Sequence, residues 1–206
     1  MEEFRYLRGT SHECVDAFED LWLKTMRKFR PISKIALFVP CSWGKPYSQS
    51  YIHFFINREL HKLGLLHRID RWHVSNAGII PASAELDGIS NDVGFFAYDW
   101  DSRFQTEEEE KYHVRSTSER LLMWKSFVGS KYPIKFSYLR PGSKGLRAIQ
   151  ATLSEVTNLA PNPNRPSDLP PQCVHDPDTV LISAINLQFL GTSIERALKG
   201  EKKWDD

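Results

Sequence analysis

A chain of 206 residues, 41% hydrophobic and 26% charged, has the composition of a folded globular protein and enough length for a sizeable core. That balance excludes global disorder, and a formal net charge of +1 argues against a dedicated duplex-binding surface, which would be more basic. Three widely spaced cysteines, Cys14, Cys41 and Cys173, point away from a disulfide scaffold and toward a reducing compartment. No apolar leader and no run of roughly 18 apolar residues is visible. The expectation is a soluble cytoplasmic protein.

TSHECVDAFEDLWLKTMRKF opens with a capping-box pattern, Thr10 to Glu13, and repeats Val15, Phe18, Leu21, Trp22, Met26 and Phe29 at helical spacing. KIALFV (34–39) is continuously apolar, as in a strand buried on both faces. QSYIHFFINRELHKLG then reads as a helix ending near Gly64, DRWHVSN (70–76) as a second strand and FFAYDW (95–100) as a third. EEEEK (107–111) reads as a solvated helix start. STSERLLMWKSFVGS carries a second capping-box pattern, Ser116 to Glu119, and predicts a helix to about Gly129. IKFSYL (134–139) is a fourth strand, and GLRAIQATLSEV a helix with Leu146, Ile149, Leu153 and Val156 on one face. Six of the twelve prolines fall in 161–177, an extended connection, before a short apolar run and a last helix in DTVLISAINLQFLGTSIERALKG.

Strands alternating with helices predict an α/β layer fold with a mainly parallel sheet. The expected organisation is an α/β core domain over 1–158, with the Pro-rich connection and C-terminal helix of 159–206 packing on the same domain.

Ligands of open parallel sheets bind beyond the carboxyl ends of the strands. That rule singles out PCSWGKPYSQS, NAGIIPASAELDG, YDWDSR and RPGSKG. Cys41 sits between a strand end and a helix start, where the helix terminus and Lys45 would favour thiolate; the bland alternative is a small buried hydrophobe. Lys45 could hold an anion or pair with Asp99, or be an ordinary surface lysine. Ser48 or Ser50 could simply cap the following helix. His53 points into the site or into the core. Glu85 could bind the amine and ring N–H of a purine-like base, or be a solvated loop residue. Tyr47, Tyr98 and Trp43 could stack on a base, or belong to the core. PGSKG is at most a loose phosphate cradle, with a Gly-rich turn as the default. The basic run Lys24, Arg27, Lys28, Arg30 and Lys34 tracks phosphates or serves a helix C-terminus. The seven histidines show no metal-site spacing, so no zinc is expected, and no cofactor.

The stretch PCSWGKPYSQSYIH resembles the motif of the archaeosine synthase family, archaeal relatives of tRNA-guanine transglycosylase. The matching positions are Pro40, Cys41, Lys45, Pro46, Tyr47, Ser50 and His53; the family's second serine falls on Ile52, a departure. GIIPASAEL and YDWD resemble later segments of the family, and the resemblance covers about residues 30 to 155. It implies a three-layer α/β/α sandwich similar to uracil-DNA glycosylase. The implied activity adds free lysine to the nitrile of 7-cyano-7-deazaguanine in tRNA, after which a radical SAM partner completes the modification. By the same resemblance, Cys41, Lys45 and Asp99 are the catalytic candidates, and Tyr47, Ser50, His53, Glu85 and Tyr98 the substrate-binding ones. No pattern for the family's RNA-binding PUA domain is visible in 156–206, so a separate RNA-binding subunit, or loss of tRNA activity altogether, is expected. Two competing readings are a non-catalytic subunit that binds a modified base or tRNA, and a base glycosylase or transglycosylase.

Overall fold

The computed structural model describes residues 19–42, 47–75, 78–83, 106–159 and 177–200. Its elements are α1 (Glu19–Lys28), β1 (Ile35–Pro40), α2 (Tyr51–Lys62), β2 (Asp70–Ser75), β3 (Gly78–Pro81), α3 (Glu107–Phe127), β4 (Ile134–Ser137), α4 (Lys144–Thr152), β5 (Thr157–Asn158) and α5 (Ala184–Leu198). Short 3-10 turns occupy Tyr47–Gln49, Gly129–Lys131 and Pro177–Ile182. Among the described residues, no helix is long and apolar enough to cross a membrane.

The five strands lie in the order β3-β2-β1-β4-β5. β1 pairs in parallel with β2 and β4, and β4 with β5, while β3 returns antiparallel to β2. Every residue of β1 is buried, which is why its sequence is apolar without alternation. Ala36 and Phe38 face one core, with Trp22 and Met26 of α1, Leu121 and Trp124 of α3, and Leu146 and Ile149 of α4. Ile35, Leu37 and Val39 face the other, with Ile52, Ile56 and Leu60 of α2 and Leu187, Leu190 and Ile194 of α5. Helices therefore cover both faces of a mostly parallel mixed sheet, an α/β sandwich. Each fully buried large apolar side chain contributes about 1.5–3 kcal/mol of transfer free energy.

Several expectations need correction. The helix predicted from Ser116 is the continuation of the one that EEEEK starts: Thr106 caps α3, accepting the Glu109 amide while the Glu109 carboxylate accepts the Thr106 amide at 2.8 Å. Ser116 lies buried in the middle of that helix. Four glutamates in the first turn complement its dipole, so the earlier of two matching patterns wins. GIIP, read as part of a loop, is strand β3, entered through Gly78 at φ 117°. A side chain there would also crowd Arg120, 3.2 Å from an ideal Cβ. α4 stops at Thr152, so Val156 lies beyond the helix, next to the short β5. Arg30 donates to the carbonyls of Arg27, Lys28 and Phe29, so this member of the basic run caps the end of α1. The expected strand at 95–100, the capping box at Thr10 and the Pro-rich connection over 161–176 lie outside the described residues.

Candidate functional site

β1 hands the chain to α2 on one face of the sheet, and β4 hands it to α4 on the other. The two connections leave neighbouring strands toward opposite faces, and the carboxyl ends of such strands are where ligands of these sheets bind. Cys41 follows β1 directly and is partly buried. Its amide donates to the Val74 carbonyl at 3.2 Å, extending the β1–β2 ladder past Pro40 and fixing the cysteine's backbone.

The motif residues after Cys41 hold the loop. Ser50 caps α2 by accepting the His53 amide at 3.3 Å. His53, 1% exposed, has Nε2 at 2.8 Å from the Pro40 carbonyl. A carbonyl only accepts, so that nitrogen carries the proton. Tyr47, also 1% exposed, stacks on His73 of β2 at 4.4 Å between centroids, and His53 meets His73 edge-on at 4.6 Å. Three polar rings thus form one buried cluster behind the peptide that carries Cys41. Ile52, where the family has serine, is buried in the apolar core under α2. Lys45, Glu85, Tyr98 and Asp99 lie outside the described residues, as does Trp43.

RPGSKG builds the other wall. The Ser143 amide bonds the Arg140 carbonyl at 3.1 Å around Pro141 and Gly142, and Gly142 has φ 77°. Proline second and glycine third is the chemistry of a type II turn. Ser143 then caps α4 by accepting the Leu146 amide at 3.3 Å. Gly145 lets the helix start press against β2: an ideal Cβ there would lie 2.9 Å from Val74 Cγ1. Val74 therefore touches both walls, through its carbonyl to Cys41 and through its side chain to α4.

Lys144 occupies the first turn of α4, which contains no acid. Burial pushes its ammonium below the ordinary lysine pKa; Glu110 opposes this, Arg147 adds to it and Cys41 opposes it. Glu110 is in turn held low, chiefly by its hydrogen bond from Arg147. A cleft of about 400 Å³ lies between α3 and α4, lined by Glu107, Glu110, Lys111, Val114, Arg115 and Arg147. It is an open, mixed-charge groove and does not include Cys41. Among the described residues no group of three His, Cys, Asp or Glu is placed to hold a metal ion.

Sequence reasoning missed His73 and Lys144. A histidine inside the buried strand WHV was one available signal. A lysine in a helix first turn with no acid beside it was the other, because that position prefers the opposite charge.

No family model matches the chain, and no curated protein matches it. Its structure is similar to the crystal structure of AF0587, a protein of unknown function, with 14% identity and a TM-score of 0.52. The match covers 85% of this chain and 49% of that one, so this chain spans about half the length of that relative. At such identity the likeness is one of fold alone.

Proposed function

We propose that this chain is an amidine-forming module of tRNA modification. It adds lysine to the nitrile of 7-cyano-7-deazaguanine, on a sandwich of the uracil-DNA glycosylase kind. The observation that carries this reading is the place of Cys41, the motif's cysteine, directly after β1, where the connections of β1 and β4 part. A thiolate there can attack the electrophilic nitrile carbon, and the lysine amine then displaces it. His53, Ser50 and Tyr47 support the reaction by holding the Cys41 peptide against β2. In this reading Asp99 is the base or the holder of the substrate amine, Glu85 recognises the deazaguanine edge and Tyr98 stacks on it; on the alternative route, in which lysine attacks directly, Lys45 or Tyr47 stabilises the developing nitrogen anion.

A second reading is a modified-base or tRNA-binding subunit without catalysis. The burial of Tyr47, His53 and Ile52 favours it, since these motif positions then serve the fold.

Nucleoside mass spectrometry separates the two. The protein is incubated with lysine and tRNA bearing 7-cyano-7-deazaguanine, with and without cell extract. A lysine adduct that disappears in Cys41→Ala supports the enzyme; an adduct that needs extract adds a separate RNA-binding subunit. No adduct under either condition, from protein with a cooperative melt, overturns the enzyme reading in favour of the binding one.

A further inference from the structure

We infer that the outer face of α2 is a stacking platform for single-stranded RNA, built from Tyr51, Phe54, Phe55 and Arg58. It takes the strand by the π faces of its bases and by its phosphate charge. That the strand is the one flanking the modified nucleotide rests on the proposed function; the platform itself stands on geometry and charge.

Five large hydrophobic side chains are exposed among the described residues, and the two aromatic ones stand together: Tyr51, 53% exposed, and Phe54, 55% exposed. Apolar residues exposed singly need no explanation, but these two share a support. Phe55 packs against the core under α2 and meets both rings edge-on, Tyr51 at 4.9 Å and Phe54 at 5.5 Å between centroids. The Arg58 guanidinium lies over the two phenylalanines, 4.5 Å from the Phe55 centroid and 5.8 Å from that of Phe54. Spacing of three, four and seven residues puts all four side chains on one face, opposite the buried Ile52, Ile56 and Leu60. Phe55 thus fixes the exposed rings from below, so little side-chain freedom is left to lose on binding.

Charge and size select the occupant. Glu59, the only acid of α2, is paired with Lys62 at 3.4 Å, while Arg58, His61 and Lys62 are exposed on the same helix. Flat rings beside a cation suit a polyanion with aromatic units, and bases stack on such rings whatever their sequence. A stable protein partner would need an apolar centre within about 1,200–2,000 Å² of buried surface, which two half-exposed rings edged by cations do not supply. The position agrees. His53 Nε2, 2.8 Å from the Pro40 carbonyl, ties the first turn of α2 to the carboxyl end of β1, so the rings lie toward the end of the sheet where Cys41 stands. From Tyr51 to Arg58 the face runs about 10 Å along the helix axis, the length of about three nucleotides at about 3.4 Å each.

The test is fluorescence anisotropy of a labelled oligouridylate, and of its duplex with oligoadenylate, titrated with the full chain at about 50 mM salt, where phosphate contacts are strong. Wild type should prefer the single strand. Tyr51→Ala and Phe54→Ala should each weaken that binding about fivefold, the low end for loss of one stacked base. Phe54→Trp should keep or tighten it, because a larger ring stacks at least as well. Arg58→Gln should reduce the salt slope by about 0.7, the share of one phosphate on a single strand, and is the variant to read should a ring variant melt early. No preference for the single strand, or an affinity unchanged in the folded double variant Tyr51→Ala/Phe54→Ala, overturns the platform. Should that unchanged variant instead abolish self-association of wild type in sedimentation, the face belongs to a second copy of the chain. Ring-dependent RNA binding with no lysine adduct from wild type overturns the proposed function and leaves the platform standing.

Discussion

The two faces of β2 are built from contrasting materials, one apolar and the other polar. On one face, Trp72 lies edge-on to Trp124 at 5.5 Å, and Trp124 stacks on Tyr132 at 5.7 Å with an interplanar angle of 5°. Phe29 and Phe38 close the same group. On the other, His73 sits between Tyr47 and His53. Trp72 and His73 are neighbours in sequence, and the strand's period of two sends them to opposite faces. Both groups are ring clusters of similar spacing, but they do different things. The indoles add apolar area and dispersion. Imidazoles cost desolvation, and what they supply here is a fixed peptide beneath Cys41. Local rules are broken where the motif is, and obeyed where it is not.

The sharpest way to break this contrast is Trp124→Ala. Trp124 is fully buried, and its loss should cost about 3–5 kcal/mol of unfolding free energy in urea titration. The folded fraction should keep the wild-type Cys41 alkylation profile. A cost below about 1 kcal/mol would mean that the indole cluster is not the stabilising face.

How far these two faces were legible follows from their physics. β1 was readable because a strand covered on both faces is apolar throughout, and α2 because Ser50 and Gly64 punctuate it. β3 was not, because four residues that run from a glycine to a proline carry no period, and only pairing with β2 makes them a strand. EEEEK marked the start of α3, since acids suit a helix N-terminus, but the Ser116-to-Glu119 spacing suggested a second start where the helix simply continues. Cys41 announced itself through local composition. Lys144 and His73 did not, since each gains its meaning from a partner distant in sequence, and parallel pairing with crossover helices brings such partners together only in the fold.

A smaller effect is expected on the polar face. His53→Leu removes the donor to the Pro40 carbonyl while keeping an apolar body in the core. Leaving that buried carbonyl unpaired should cost about 1–3 kcal/mol, less than Trp124→Ala. Unlike the tryptophan change, it should also alter the site, speeding alkylation of Cys41 as the peptide loosens. Equal stability loss with an untouched Cys41 profile would assign His53 to the core and separate it from the thiol.

The smallest effect sits where the indole cluster meets a charge. One carboxylate oxygen of Asp70 accepts the amides of Ile32 at 3.1 Å and Ser33 at 3.2 Å and the Tyr132 hydroxyl at 3.0 Å. Burial pushes its pKa above the ordinary aspartate value, and those three bonds pull against that shift without cancelling it. A carboxyl whose folded pKa exceeds its unfolded pKa binds protons more tightly in the native state. Its contribution to stability is then largest in acid, and is lost as pH climbs from about 4, the unfolded value, through the folded one. Asp70→Asn removes that slope, so the stability of wild type relative to the variant should fall as pH rises through this interval. Urea titrations at matched pH values read the difference directly. A wild type that gains on Asp70→Asn over the same interval would mean that three donors on one oxygen outweigh burial. The indole face of β2 would then be tuned for charge as deliberately as the histidine face.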